Sequence, residues 1–140
     1  MTMKVMLDEG AYLPTRATTF DAGADLYTPK AFRVPAHGSA TIDTGVHVQI
    51  PGGYFGKLES KSGLNVNHGV VSCGGVIDSG YTGSIRVKLY NFSDTDYQFQ
   101  KGDKVVQLII QPCELCMFER VDEIDMDTER GSRGFGSSGR

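Results

Sequence analysis

Asp78 and Tyr81 stand three residues apart in Gly75-Val-Ile-Asp-Ser-Gly-Tyr-Thr-Gly83, and Arg86 follows the carboxylate by eight. An Asp of ordinary pKa, about 3.9, is ionised at neutral pH and can accept a proton from water. The same Asp in Ile-Asp-Ser-Gly also suits a turn in which it caps its own backbone. A second cluster lies at the C-terminal end. Arg130-Gly-Ser-Arg-Gly-Phe-Gly-Ser-Ser-Gly-Arg140 combines three arginines, glycine N–H groups and the hydroxyls of Ser137 and Ser138. That set suits an anionic, phosphate-like ligand, and Phe135 within it suits stacking on a flat ring. Gly134-Phe-Gly-Ser-Ser-Gly139 matches the dinucleotide fingerprint in letters alone. The fingerprint needs a strand before it and a helix after it, so no Rossmann unit is expected.

Other residue classes narrow the chemistry. Cys113 and Cys116 form a C-x-x-C, but Ile-Ile-Gln-Pro-Cys-Glu-Leu-Cys-Met-Phe reads as extended chain, not as the start of a redox helix. His37, His47 and His68 are too scattered to complete a zinc site, so Cys73, Cys113 and Cys116 are expected to be buried free thiols. A net charge of −3 over 140 residues argues against a polymer nucleic-acid surface, yet leaves room for a basic pocket. No apolar run approaches the roughly 18 residues of a membrane helix. Met1-Thr-Met-Lys-Val5 reads as no targeting signal, and a cytoplasmic protein without membrane contact is expected.

The elements that must hold these residues are short strands. Eighteen glycines and no Trp disfavour long helices. Gly45-Val-His-Val-Gln-Ile50 alternates, and Ser84-Ile-Arg-Val-Lys-Leu-Tyr90 places Ile85, Val87 and Leu89 on one face. Val105-Val-Gln-Leu-Ile-Ile110 is denser and suits a strand buried on both faces. Turns are expected at Pro51-Gly52-Gly53, Ser79-Gly80, Asn91 to Asp94 and Lys101-Gly102-Asp103. One short helix fits between Lys61 and His68, weakened by Gly63 and Asn65. Ser72-Cys73-Gly74 reads as a hairpin of little bulk. The pattern is an all-β sandwich or jelly roll. The terminal segment has only Phe135 as an apolar side chain, so it reads as a flexible tail or as a lid that orders on a ligand.

Five segments carry a family resemblance: Ala22-Gly-Ala-Asp-Leu-Tyr27, Lys61-Ser-Gly-Leu64, Gly75 to Gly83, Gly102-Asp-Lys-Val-Val-Gln-Leu-Ile109, and Arg130 to Ser138. In this order they resemble the five motifs of the trimeric dUTPases, from about Asp21 to the C-terminus. The resemblance implies a distorted jelly-roll β-sandwich or barrel at residues 1–121 and an arm at 122–140 that crosses to a neighbour. It implies a homotrimer whose sites are each built from three subunits. The activity it implies is Mg2+-dependent hydrolysis of dUTP to dUMP and pyrophosphate, which limits uracil in DNA and supplies dUMP for dTMP synthesis.

Residue by residue, the resemblance implies that Asp78 positions the attacking water and that Tyr81 packs under the deoxyribose. The backbone around Gly74, Val76 and Ile77 would read the uracil edge, with Arg86 beside the nucleoside. Lys61, Ser62, Gly63 and Gln107 would hold phosphates, and Lys61 departs from the family's Arg by lacking its planar fork. Asp25 would hold magnesium indirectly, through water. Phe135 would cover the base, and Arg130, Gly136, Ser137 and Ser138 would close on the phosphates. Arg133 stands where the family more often has Gly. A dCTP deaminase is the nearest rival, but its strand Glu is replaced by Lys in Val87-Lys88-Leu89. A nucleotide-binding module with a regulatory protein partner is the rival of another class.

Overall fold

The computed structural model describes residues 1–136 and 139; Ser137, Ser138 and Arg140 lie outside the described residues. Among the described residues, eleven strands and one helix follow each other along the chain. They are β1 (Lys4–Leu7), β2 (Ala24–Tyr27), β3 (Phe32–Val34), β4 (Ser39–Asp43), β5 (Val46–Gln49), β6 (Tyr54–Glu59), α1 (Ser62–His68), β7 (Val70–Ser72), β8 (Val76–Ile77), β9 (Arg86–Asn91), β10 (Tyr97–Phe99) and β11 (Lys104–Pro112). They form sheets ordered β2-β11-β6-β8, β4-β9-β7, β1-β5 and β10-β3, and every pairing is antiparallel. The fold is all-β, and none of these sheets closes into a barrel.

Period-two burial explains most strands. Val87 and Leu89 of β9, with Ile85 just before it, are buried while Arg86 and Lys88 face outward, as the alternation predicts. Val46 and Val48 of β5 do the same. In β11 the pairing with β2 shifts between Lys104 and Val106. This irregularity lets Val105 and Val106 both point into the core, which simple alternation forbids. Residues from all four sheets meet in one apolar cluster. Phe99 is 1% exposed and stacks on Phe32 at 4.7 Å between ring centroids.

The expected helix is present as α1, anchored by half-buried Leu64 and ended by Gly69 in the left-handed conformation (φ 67°). The expected hairpin at Ser72-Cys73-Gly74 is not. β7 pairs with β9 and β8 pairs with β6, so the chain at 73–75 passes from one sheet to another. Two very short strands cannot select each other when longer neighbours offer better ladders. The thiols are free, but Cys73 and Cys116 are exposed and Cys113 is half-buried, so the expectation of burial fails. Cys73 sits at the crossover and Cys116 on extended chain beyond β11, where no core is available.

Candidate active site

Two groups of side chains form, at opposite edges of the four-stranded sheet. The first is built around Asp25 on edge strand β2. Pairing sets Gln107 of β11 opposite Asp25 on one side and opposite Glu59 of β6 on the other. Beyond Glu59 the chain turns, and Lys61 reaches back to pair with Asp25 Oδ1. Lys104 Nζ lies 2.8 Å from Asp25 Oδ2. Asp25 is 4% exposed. Burial pushes its carboxyl upward, but the Lys104 and Lys61 ammonium groups more than offset this and hold it below the usual carboxylate range. Gln107 Nε2 donates to the Ser60 carbonyl at 3.1 Å. A Cβ at position 23 would fall 2.4 Å from Gln107 Oε1, so the glycine before Ala24 is required by this side chain. Ser62 and Gly63 open α1 beside Lys61.

The second group lies beyond β8. Gly75, Val76, Ile77, Asp78, Tyr81 and Arg86 line a cleft of about 240 Å³. A turn closed by Tyr81 N–H donating to the Asp78 carbonyl (3.0 Å) sets both side chains on one loop. The Tyr81 hydroxyl donates to the Ser84 carbonyl at 2.8 Å, and a Cβ on Gly83 would collide with that ring. Arg86 Nε lies 3.6 Å from Asp43 Oδ2, and Ser84 Oγ donates to the other oxygen of Asp43. The Ser84 hydroxyl is the main reason the Asp43 carboxyl lies below its ordinary range; burial opposes it, and Gly45 N–H and Arg86 add to it.

Backbone conformation shapes the cleft wall. Gly74 and Gly75 both have positive φ, 79° and 104°. The Gly75 carbonyl accepts from Leu58 N–H at 2.9 Å, and a Cβ at Gly75 would fall 2.8 Å from Leu58 Cβ. Nothing lies within 4 Å of a Cβ built on Gly74. Gly75→Ala is therefore expected to cost about 2 kcal/mol, and Gly74→Ala distinctly less. Urea midpoints of the two variants check this, and equal losses would refute the packing argument.

Among the described residues, Arg130, Phe135 and Gly136 make no side-chain hydrogen bond or ion pair to either group. Phe135 is fully exposed. Arg130 Nε donates to the Arg133 carbonyl and Arg133 Nε to the Arg130 carbonyl, both at 3.0 Å, so these guanidinium groups serve their own turn. Gly136 has a φ of 80°. Ser137 and Ser138 fall outside the described residues. Sequence reasoning missed Lys104, Asp43 and Ser60. Ser60 Oγ accepts from Ser72 N–H at 2.8 Å and ties the crossover to the chain entering α1. Their partners lie 12 to 79 residues away, so no local spacing announces them.

The two groups thus consist of a buried carboxylate paired with two lysines and a cleft lined by Asp78, Tyr81 and Arg86. The family model described as dUTPase matches residues 9–139. The chain belongs to the dUTPase family. The deoxyuridine 5'-triphosphate nucleotidohydrolase of Kluyveromyces lactis is 38% identical over 144 residues, covering 99% of this chain and 95% of its own. The dUTPase of Staphylococcus bacteriophage 80alpha, solved with dUpNHpp, superposes with a TM-score of 0.92 at 30% identity over 99% of each chain. A variant dUTPase of S. aureus phage phi11, described with a structural Mg(II) ion, gives a TM-score of 0.80 at 31% identity over 88% of this chain and 98% of its own. Against the rival dUTPase-fold chemistry, deamination, Lys88 lies on the outer face of β9 with Nζ 5.3 Å from the Tyr90 ring centroid. It offers no carboxylate to a pyrimidine.

Proposed function

We propose that this dUTPase-family chain hydrolyses dUTP to dUMP and pyrophosphate, with Asp78 as the general base. The observation that carries the reading is the cleft where Asp78, Tyr81 and Arg86 converge on the backbone of Gly75 to Ile77. A water held by Asp78 attacks the α-phosphorus in line. Its oxygen forms the new P–O bond, its proton passes to the carboxylate, and the bond from the α-phosphorus to the bridging oxygen breaks. Tyr81 packs under the deoxyribose, and the backbone at 74–77 faces the base. Lys61, Ser62, Gly63 and Gln107 receive the phosphates. The arm, residues 122–140, brings Arg130, Phe135, Gly136, Ser137 and Ser138 over the ligand and excludes water.

The residues fit a metal that arrives on the substrate. Asp25 is already neutralised by two lysines, so it is no direct ligand for a dication. Each of its oxygens retains a lone pair for a metal-bound water, and magnesium takes most direct ligands from phosphates. The chemistry magnesium supplies when bound is neutralisation of charge on the leaving pyrophosphate.

A homotrimer supports this reading physically. Within one chain, β2 and β8 are three strand spacings apart, about 14 Å, and in a trimer the Asp25 group of one copy can meet the cleft of another. Leu115, Met117 and Phe118, beyond β11, are 77%, 97% and 98% exposed. Such a run of apolar side chains needs cover, which a neighbouring copy supplies. Among the described residues no helix is long and apolar enough to cross a membrane. We place the enzyme in the cytoplasmic nucleotide pool, with the substrate and its own copies as partners.

Pyrophosphate release from dUTP, dTTP, dCTP and UTP with magnesium tests the activity, and light scattering tests the assembly. Turnover confined to dUTP, from a particle of three chain masses, is the expected result. Ammonia release from dCTP, or binding of dUTP without turnover, would overturn the assignment.

A further inference from the structure

His47 is the one histidine whose ring makes two hydrogen bonds among the described residues. Its side chain is 18% exposed, opposite Met6 across the β1–β5 ladder. Nδ1 lies 2.8 Å from the Thr82 carbonyl, and Nε2 lies 2.9 Å from Asp8 Oδ1. A carbonyl and a carboxylate can only accept. A neutral imidazole carries one N–H and can satisfy one of them; the imidazolium satisfies both.

Thr82 directly follows Tyr81, in the same loop that carries Asp78. The Tyr81 ring closes against Gly83, and its hydroxyl is tied to Ser84. Any movement at Thr82 therefore moves the ring that faces the sugar. The Asp8 backbone is held in place, since its N–H donates to the Gly45 carbonyl at 2.8 Å. We propose that His47 is a positioning residue for sugar selection: its imidazolium ties the Tyr81 loop to Asp8, and loss of its proton loosens that loop. The inference rests on the reading of the cleft as the nucleoside site.

The surroundings favour the charged form. The Thr82 carbonyl raises the His47 pKa most, burial opposes it, and the Asp8 hydrogen bond, the Asp8 charge and the Asp43 charge add to the rise. Lys4 of β1 borders the same groove and opposes the charge, while Arg86 is engaged by Asp43. A folded pKa raised above the unfolded value means the tie is complete below the unfolded pKa, about 6.5, and is lost as pH rises through the folded value.

The test follows the ratio of kcat/KM for dUTP over UTP between pH 5.5 and 8.5, in the wild type, His47→Gln and Asp8→Asn. Amide exchange of residues 81–84 and the 15N titration of the His47 ring are followed alongside. In the wild type the ratio is expected to fall by roughly tenfold as the ring deprotonates, matching the NMR midpoint, with faster exchange of the loop amides. His47→Gln gives a low, pH-independent ratio and fast exchange throughout. Asp8→Asn, which keeps an acceptor without its charge, moves the midpoint to lower pH. A ratio flat with pH in the wild type, or a ring titrating without any change in loop exchange, overturns the proposal. Should no triphosphate be turned over, the reading of the site fails, and pH-independent loop exchange would then remove the tie as well.

Discussion

Asp78→Asn is expected to lower kcat for dUTP by about 10²- to 10⁴-fold while leaving KM and folding nearly unchanged. Asn keeps the size of the side chain and can still accept a hydrogen bond from water, but it cannot take the proton at neutral pH. Among the described residues the Asp78 carboxylate makes no hydrogen bond to protein, and only the carbonyl is used, by Tyr81 N–H. The side chain is exposed at the cleft wall, so its replacement leaves no buried partner unsatisfied and should shift stability by no more than about 0.5 kcal/mol. Single-turnover rates with dUTP separate chemistry from release. A variant within threefold of the wild-type rate would remove Asp78 as the base and point to hydroxide attack directed by other groups. Loss of binding without loss of single-turnover rate would instead assign the carboxylate to the sugar.

Much of this site was legible because it is local. Asp78, Tyr81 and the backbone between Gly75 and Ile77 belong to one loop, so their spacing alone puts them in one place. Arg86 joins them because the loop returns at once into β9, whose alternation was readable. The Asp25 group was not legible in the same way. Asp25 and Lys61 are 36 residues apart, and only the β2-β11-β6 register brings them together. The resemblance implies that Asp25 holds magnesium through water and that Lys61 holds a phosphate; the structure pairs the two with each other and adds Lys104, which the sequence did not announce. Partner choice between strands also escaped the sequence. β8 is two residues long, and its place beside β6 depends on Leu58 packing against the bare backbone of Gly75. Nothing near residues 72–75 distinguishes that crossover from a hairpin.

The pairing at Asp25 leads to the largest expected effect on stability. Asp25→Ala leaves two lysines facing one another beside a buried strand, with no carboxylate between them. Removing one member of a buried ionic group costs about 3 to 5 kcal/mol. The lower figure applies here, about 3 kcal/mol, because Lys61 and Lys104 keep 27% and 44% of their side-chain exposure and can turn to water. Because the folded carboxyl is depressed, its contribution is present above the unfolded pKa, about 3.9, and disappears as pH falls through the folded value. Urea unfolding from pH 7 to pH 2 should therefore show the gap between wild type and Asp25→Ala narrowing only below about pH 4. Adding Lys104→Met should restore part of the loss at neutral pH, since it removes an ammonium that has lost its partner. If the double variant is as unstable as the sum of both single changes, the two lysines do not compete for one carboxylate and the group is held by something else. The kinetic counterpart is a raised KM for dUTP in Asp25→Ala at unchanged Asp78 chemistry, because Lys61 loses the tether that presents it beside Ser62.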